Sequence, residues 1–196
     1  ARGMRVMFDL VLNHTSDQHP WFQRSRASRT NPKADWYIWA DGRGKHGRRP
    51  PNNWRSAMEF TSAWQYSPIR RQWYLCSFLP FQPDLNWRHP EVKQAMFDSV
   101  RFWLDKGVDG FRLDIFGQIM KDPSLRNNPV RPRMYNGFPR LTERLHTENT
   151  ADNVLVAKEL WAVCAPYPGD RGLLGEGFGA PAVLKSFRGD DGGLQL

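Results

Sequence analysis

Short apolar runs alternate with long polar stretches along the chain, and this alternation predicts an α/β fold. Residues 4–12 form an apolar run that only Arg5 and Asp9 interrupt. Its length and its valine, phenylalanine and leucine content are typical of a strand buried on both faces of a parallel sheet. From His14 to about Gln82, proline, glycine, asparagine and tryptophan are frequent and helical periodicity is poor. We expect a long irregular insertion there, with short strands in "WYIWA" and "QWYLCSF".

Helical periodicity returns after Pro90, which suits the first position of a helix. The apolar residues that recur there at helical spacing are Val92, Met96, Val100, Trp103 and Leu104. The segment "GVDGFRLDIF" then predicts a strand, and a polar connection over residues 121–139 leads to a second helical region that ends near Ala165. "GLLGE" predicts a third strand. Strands alternating with helices indicate parallel strands joined by right-handed crossovers.

Composition and charge narrow the class of protein. With 196 residues, 40% hydrophobic and 24% charged, the chain can form one sizeable core, and no stretch approaches the roughly 20 apolar residues of a membrane span. The net charge of +8 favours polyanions, but the densest basic run, residues 42–51, contains no aromatic residue for stacking. We interpret this run as a solvated loop and predict neither a nucleic-acid nor a membrane partner. Cys76 and Cys164 lie in no metal or redox spacing, which predicts reduced thiols in the cytoplasm.

Polar residues follow each of the three predicted strands. Asn13 and His14 follow the first strand, Arg112 and Asp114 close the second, and Glu176 closes the third. The carboxyl ends of parallel strands meet at one edge of a sheet, where α/β proteins place their chemistry. The pattern therefore predicts one site at this edge.

Arg112 and Asp114 share one face of the second strand because side chains alternate along a strand. The arginine would hold the Asp114 carboxylate ionised and orient it, as suits a nucleophile or an electrostatic stabiliser. The alternative is a structural ion pair in a barrel interior.

Glu176 has apolar neighbours in Leu173, Leu174 and Phe178, and no cation lies adjacent to it in the sequence. Such a setting would keep a proton on the carboxyl group near neutral pH. An ionised Asp114 beside a protonated Glu176 is the pair that glycoside hydrolysis uses, with Asp114 as nucleophile and Glu176 as acid/base. The alternative is a strand-end residue hydrogen-bonded to a helix N-terminus. Glu159 in "VLVAKELW" is a look-alike, but its run continues through "AVC" without a turn, which predicts a helix.

Four segments together resemble consecutive signatures of the α-amylase family of glycoside hydrolases, in that family's order. They are "FDLVLNHTSDQHPWF", "QPDLNW", "GFRLDIF" and "GDRGLLGE". The chain is most similar to the oligo-1,6-glucosidase and α-glucosidase branch. The resemblance implies part of a (β/α)8 TIM barrel, about strands 3 to 5, with an irregular domain B after strand 3. Residues 1–13 would hold strand 3, residues 14–84 domain B, and residues 85–196 helix 3 through strand 5 and the following loop.

The resemblance also implies roles for individual residues. Asp114 and Glu176 match the catalytic nucleophile and acid/base, and Asp9 matches a structural strand aspartate. The substrate-binding positions that it implies are His14, Arg112, Phe78 and Gln82. Ile115, the aliphatic residue after the nucleophile, implies a preference for α-1,6 bonds.

The resemblance also includes family features that we expect this chain to lack. Asn13 and Asp84 match calcium ligands of true α-amylases, but the "QPDLN" form belongs to a branch that usually lacks the ion, so we predict no metal and no cofactor. No histidine-preceded third carboxylate follows Glu176, and an aromatic expected near residue 59 is displaced, with Glu59 before Phe60. We expect a fragment cut at both ends and poorly active alone, because its sheet edges are unpaired.

The sequence thus predicts a retaining α-glucoside hydrolase for short α-linked gluco-oligosaccharides, joined by α-1,6 or α-1,4 bonds. One alternative is a trehalose synthase-like isomerase or transglucosidase with the same catalytic pair. A second is a non-catalytic homologue, against which the presence of both carboxylates counts. A third is a basic polyanion binder.

Overall fold

The computed structural model describes residues 3–58, 61–135, 138–188 and 192–195. Glu59 and Phe60, where an aromatic was expected to be displaced, lie outside these residues. The strands are β1 (Met7–Leu10), β2 (Trp39–Ala40), β3 (Trp64–Ser67), β4 (Gln72–Leu75), β5 (Gly110–Leu113), β6 (Val130–Tyr135), β7 (Phe138–Thr142) and β8 (Gly172–Gly175). The helices are α1 (Pro20–Ala27), α2 (Pro90–Asp105), α3 (Ala151–Cys164) and α4 (Pro181–Arg188).

The elements form two compact units. The parallel-sheet unit comprises Ala1–Asn13, Pro90–Met120 and Asn149–Leu196, and the irregular unit comprises His14–His89 and Lys121–Glu148. The predicted domain boundaries after residues 13 and 84 stay predictions.

The parallel-sheet unit contains the three predicted strands in the order β1-β5-β8. Both pairs are parallel, with Asp9 opposite Arg112 and Arg112 opposite Leu174. Phe111 and Leu113 on β5 are fully buried, whereas the intervening Arg112 is only partly buried. The sheet therefore has one apolar face, and its other face carries the polar candidate residues.

Helix α2 begins at Pro90, as the sequence predicted, and buries Val92, Met96, Val100 and Leu104. Trp103, which recurs with these residues at helical spacing, is 37% exposed and packs edge-to-face on Phe8 with ring centroids 5.0 Å apart. Helix α3 contacts α2 and includes Glu159, so the prediction that this glutamate is helical is confirmed.

Strand β1 differs from the prediction of a strand buried on both faces. Met7 is 50% exposed, Phe8 36% and Val11 41%. The reason is topological: β1 lies at an edge of the sheet, and the described part of the chain supplies no strand on its outer side. The apolar composition of this run predicts buried side chains, but the described residues bury them only in part.

The irregular unit has a small antiparallel sheet in the order β2-β4-β3. Trp54, Ala63, Trp64 and Leu75 form its buried cluster, and the two indole rings stack with centroids 5.9 Å apart. Strands β2 and β4 fall inside the two segments predicted as short strands.

Residues 121–148 also belong to the irregular unit, and here the sequence prediction was wrong. A helical region was expected from about residue 139, but the structure has the hairpin β6–β7, and α3 begins only at Ala151. The segment is attached by side-chain amides: Asn128 N–H donates to Asn53 Oδ1 at 2.8 Å, and Asn53 Nδ2 donates to the Asn128 carbonyl at 2.8 Å. Trp54 Nε1 donates to the Arg126 carbonyl at 2.8 Å. Bonds across more than 70 residues leave no periodic signal in the sequence.

The basic run forms an ordered turn whose charged side chains are exposed, in line with the prediction of a solvated loop. Arg43 and Arg49 exchange two backbone hydrogen bonds of 2.8 and 3.0 Å. Trp73 Nε1 donates to the Gly47 carbonyl at 2.9 Å and anchors the tip.

Cys76 and Cys164 are free thiols, both buried. Burial raises the pKa of Cys164 to about 11, so this thiol stays protonated. Among the helices that the structure describes, none has the length and apolar character to cross a membrane.

Candidate active site

Asp114 follows the last residue of β5, at the carboxyl end of the parallel sheet. Its N–H donates to the Leu10 carbonyl on β1 at 3.2 Å, which fixes the backbone there. Arg112 Nη1 donates to Asp114 Oδ1 at 2.6 Å. The predicted same-face pair is therefore present, with a short charge-assisted hydrogen bond.

Glu176 follows the last residue of β8 and lies beside the end of β5. Its N–H donates to the Leu113 carbonyl at 2.9 Å, and its own carbonyl accepts from Phe116 N–H at 3.0 Å. Its side chain is not isolated among apolar groups, because Arg112 Nη2 donates to Glu176 Oε2 at 2.6 Å. The sequence neighbours of Glu176 predicted an apolar setting, and the structure adds a cation to it. The cation comes from the neighbouring strand, which sequence adjacency cannot reveal.

Arg112 connects three carboxylates. Besides Asp114 and Glu176, it donates from Nη1 to Asp9 Oδ1 at 2.8 Å. The hydrogen bond to Asp9 is the main cause that raises the pKa of Arg112, and the bond to Asp114 adds to it, so the guanidinium keeps its charge. The planar guanidinium thus bridges the candidate nucleophile and the candidate acid/base, and it also bonds a third carboxylate on β1.

Ile115, the residue directly after Asp114, has a left-handed backbone with φ 39° and ψ 52°. A β-branched residue rarely adopts this conformation, which costs on the order of 1–3 kcal/mol. The conformation lets Ile115 N–H donate to Glu176 Oε2 at 3.2 Å, just before a one-turn 3-10 helix at Phe116–Gln118. The alternative interpretation of Glu176, an acceptor at a helix start, is therefore also realised in part.

The other three predicted site residues belong to the irregular unit. The rings of His14 and Phe78 lie with centroids 5.3 Å apart and tilted by 48°. Gln82 Oε1 accepts from Leu79 N–H at 3.2 Å, which closes a turn in which Gln82 N–H also donates to the Leu79 carbonyl. The structure brings His14 and Phe78 together and holds Gln82 in a local turn. Their roles toward a substrate stay predictions.

The family model of the alpha amylase catalytic domain matches residues 1–193 of this chain. The chain belongs to this family. A probable alpha-glucosidase of Rhizobium meliloti (strain 1021) is 47% identical over 174 residues, which cover 85% of this chain and 31% of the relative. An oligo-1,6-glucosidase of Parageobacillus thermoglucosidasius is 44% identical over 156 residues, covering 76% of this chain and 27% of the relative.

Solved structures agree on the α-amylase fold. The alpha-glucosyl transfer enzyme XgtA superposes with a TM-score of 0.89 at 42% identity, covering 97% of this chain and 37% of that one. The fold class is therefore that of the α-amylase family, a TIM barrel. The chain spans about 31% and 27% of the length of the two curated relatives.

In this α-amylase family chain, Asp84, which matches a calcium ligand of true α-amylases, is paired with the ammonium group of Lys121. Asp84 is completely buried and pairs with Lys121 Nζ at 2.5 Å, while Ser77 donates to it from N at 2.8 Å and from Oγ at 2.6 Å. Burial lowers the pKa of Lys121, and the Asp84 charge opposes this shift. Within the part of the chain that the structure describes, no group of three His, Cys, Asp or Glu side chains could hold a metal. The pairing of Lys121 with Asp84 was not predicted from the sequence, because 37 residues separate the two.

Glu159, the look-alike glutamate, takes part in a different contact. Its carboxylate pairs with Lys93 Nζ on α2 at 2.8 Å, and both side chains are partly exposed. This pair ties α3 to α2, and it has no link to the Arg112 network among the contacts described.

Proposed function

We propose that the protein carrying this chain is a retaining α-glucosidase that acts on short α-linked gluco-oligosaccharides. The observation that carries the proposal is the Arg112 guanidinium, whose two terminal nitrogens each donate at 2.6 Å, one to Asp114 and one to Glu176. A carboxylate pair held by one guanidinium supports a mechanism that keeps the anomeric configuration, for which the two carboxyl groups should lie about 5–5.5 Å apart. The names of the relatives support an α-glucoside as the substrate.

In the first step, an Asp114 oxygen attacks the anomeric carbon and the glycosidic C–O bond breaks. Glu176 transfers its proton to the departing oxygen, so that the leaving sugar departs as a neutral alcohol. The product is a glucosyl ester of Asp114. Arg112 orients Asp114 for in-line attack and, as Glu176 loses its proton, stabilises the carboxylate that forms.

In the second step, a water molecule attacks the same carbon from the side vacated by the leaving group. Glu176 accepts the proton of this water, and the ester bond to Asp114 breaks. Glucose leaves with its original configuration, Asp114 returns as a carboxylate and Glu176 returns protonated, so the cycle is balanced. His14, Phe78 and Gln82 bind the glucose ring in this proposal.

The remaining architecture follows from the same proposal. Strands β1, β5 and β8 act as barrel strands 3, 4 and 5, and His14–Gln82 acts within domain B. The antiparallel sheet of the irregular unit and the attached residues 121–148 support a separate inserted unit.

A second candidate function is glucosyl transfer to a sugar acceptor. The likeness to XgtA, described as an alpha-glucosyl transfer enzyme, supports it. The catalytic pair and the glucosyl ester are the same, and only the second nucleophile differs. The proportion of free glucose to longer oligosaccharides formed from maltose distinguishes the two functions.

The test uses the longest natural protein that contains these residues, with maltose and isomaltose as substrates. Nuclear magnetic resonance should detect α-glucose as the first-formed anomer. Glu176→Gln should lower kcat by about 10²–10⁴-fold, and Asp114→Asn should abolish turnover. Asp98→Asn is the matched control, because Asp98 forms an exposed ion pair with Arg101 on α2. First-formed β-glucose, or full activity of Asp114→Asn, would contradict the proposal.

A further inference from the structure

A single asparagine joins the loop that follows β5 to the loop that follows β8. Asn149 N–H donates to the Gly117 carbonyl at 2.7 Å, three residues after Asp114. The same residue donates from Nδ2 to the Phe178 carbonyl at 2.6 Å, two residues after Glu176. Asn149 is therefore in contact with the segments that follow both candidate catalytic carboxylates.

Two glycines form a slot for the Asn149 amide. A Cβ atom at Gly117 would lie 2.3 Å from Asn149 Oδ1, a distance at which one of the groups must shift. A Cβ atom at Gly179 would lie 3.1 Å from Asn149 Nδ2, which is tighter than ordinary contact. The absence of side chains at both positions lets the amide fit between the two loops.

The backbone of Asn149 also suits this place. Its φ of 54° is left-handed, a conformation that asparagine tolerates better than most residues. Asn149 Oδ1 is buried and receives no hydrogen bond from the described residues. Among the described residues, the side-chain amide is therefore held through its Nδ2 donor alone.

We propose that Asn149 is a positioning residue for Glu176, an inference that rests on the proposed function. The segment 176–178 is held at its start by the Phe116 N–H bond to the Glu176 carbonyl and at its end by the Asn149 amide. Between these two points, the carboxyl group of Glu176 must keep the position from which it protonates the leaving oxygen. Loss of the second attachment frees the segment and misplaces the proton donor.

The expected effect is specific to proton donation. A displacement of about 1 Å costs on the order of 100-fold in rate. The loss should appear in kcat/KM for maltose, whose leaving alcohol needs the proton of Glu176. It should be small for α-glucosyl fluoride, because fluoride departs with little acid assistance. Because kcat/KM covers only the steps up to the glucosyl ester, the later role of Glu176 as a base does not affect the comparison.

The experiment compares Asn149→Gly with the wild-type protein. Glycine adopts the left-handed backbone freely and removes the side chain that carries the amide, so the substitution adds no backbone strain. We expect kcat/KM for maltose to fall by about 10–100-fold and kcat/KM for α-glucosyl fluoride by less than about threefold. Asn153→Ala is the control for loss of the amide contacts to the loop after β5, because the buried Asn153 side chain bonds the Gly117 carbonyl at 3.0 Å and Met120 N–H at 2.9 Å, and none of its described hydrogen bonds reaches Phe178.

A second measurement keeps the inference testable if hydrolysis is not observed. Hydrogen exchange of the peptide covering residues 176–179 should be faster in Asn149→Gly than in wild type, and unchanged in Asn153→Ala. Equal losses on both substrates would overturn the positioning role, and so would unchanged exchange in this peptide. A wild-type protein that hydrolyses neither substrate would refute the proposed function, and the exchange data alone would then decide whether Asn149 holds the loop.

Discussion

Removing the cation from the buried Lys121–Asp84 pair should destabilise the irregular unit strongly. In Lys121→Met the methionine fills a similar volume, but the Asp84 carboxylate remains completely buried with only the two Ser77 donors described above. Breaking a buried ion pair by removing one partner costs about 3–5 kcal/mol. Because Ser77 continues to donate two hydrogen bonds, we expect the lower end of this range, about 3 kcal/mol.

The double variant Asp84→Asn/Lys121→Met separates the charge from the packing. Asparagine keeps the shape of Asp84 and can bond Ser77 at both positions, since the Ser77 hydroxyl can either donate or accept. No buried charge then remains, so we expect the double variant to be only about 1–2 kcal/mol less stable than wild type. The double variant should therefore be more stable than Lys121→Met alone.

Urea unfolding at pH 7, followed by tryptophan fluorescence, measures these differences, because four buried tryptophans, Trp36, Trp54, Trp64 and Trp87, belong to the irregular unit. Lys93→Met is the control, because its ion pair with Glu159 is partly exposed and should contribute about 0–1 kcal/mol. A loss below about 1 kcal/mol for Lys121→Met would refute the reasoning, as would a double variant less stable than the single one.

Three further predictions concern pH and the exposed strand. Arg126 lowers the pKa of Asp122 to about 2, so the pair stabilises the fold above about pH 4, and this contribution is lost as pH falls through 2. The unfolding difference between wild type and Asp122→Asn should be about 1–2 kcal/mol at pH 6 and vanish only by about pH 1. In Asp84→Asn, burial lowers the pKa of Lys121 without an opposing charge, so the unfolded state binds more protons and the variant should gain stability as pH rises from 6 to 9, measured by thermal unfolding. The isolated 196-residue chain should bind a hydrophobic dye and should associate, as measured by light scattering, because β1 exposes apolar side chains at a sheet edge. Phe8→Lys should reduce both dye binding and association. A monodisperse chain without dye binding would contradict this prediction.

Local patterns in the sequence predicted the features that depend on local spacing. The period-two alternation placed Arg112 and Asp114 on one face of β5, and Pro90 with the apolar spacing after it located α2. The ends of β5 and β8 are adjacent because parallel pairing aligns Leu113 with Gly175. This rule of topology, applied to sequence alone, predicted that Asp114 and Glu176 meet.

The features that were missed depend on partners distant in the chain. No cation is adjacent to Glu176 in the sequence, but its ion pair to Arg112 spans 64 residues and comes from the adjacent strand. The attachment of residues 121–148 to the irregular unit relies on asparagine side chains that any polar loop contains. Strand β1 was expected to be buried because its composition is apolar, yet burial requires a neighbour that the described residues do not provide. Periodicity predicts which side chains need burial or pairing, and only the assembled contacts identify their partners.

The assignment of Asp114 as the nucleophile is tested most directly by trapping the covalent intermediate. The longest natural protein with these residues is incubated with 5-fluoro-α-glucosyl fluoride, digested and analysed by tandem mass spectrometry. The proposed mechanism predicts one fluoroglucosyl ester, located on Asp114, and no label on the Asp114→Asn variant. An ester on Glu176 or another carboxylate, or an active enzyme that never acquires the label, would contradict it.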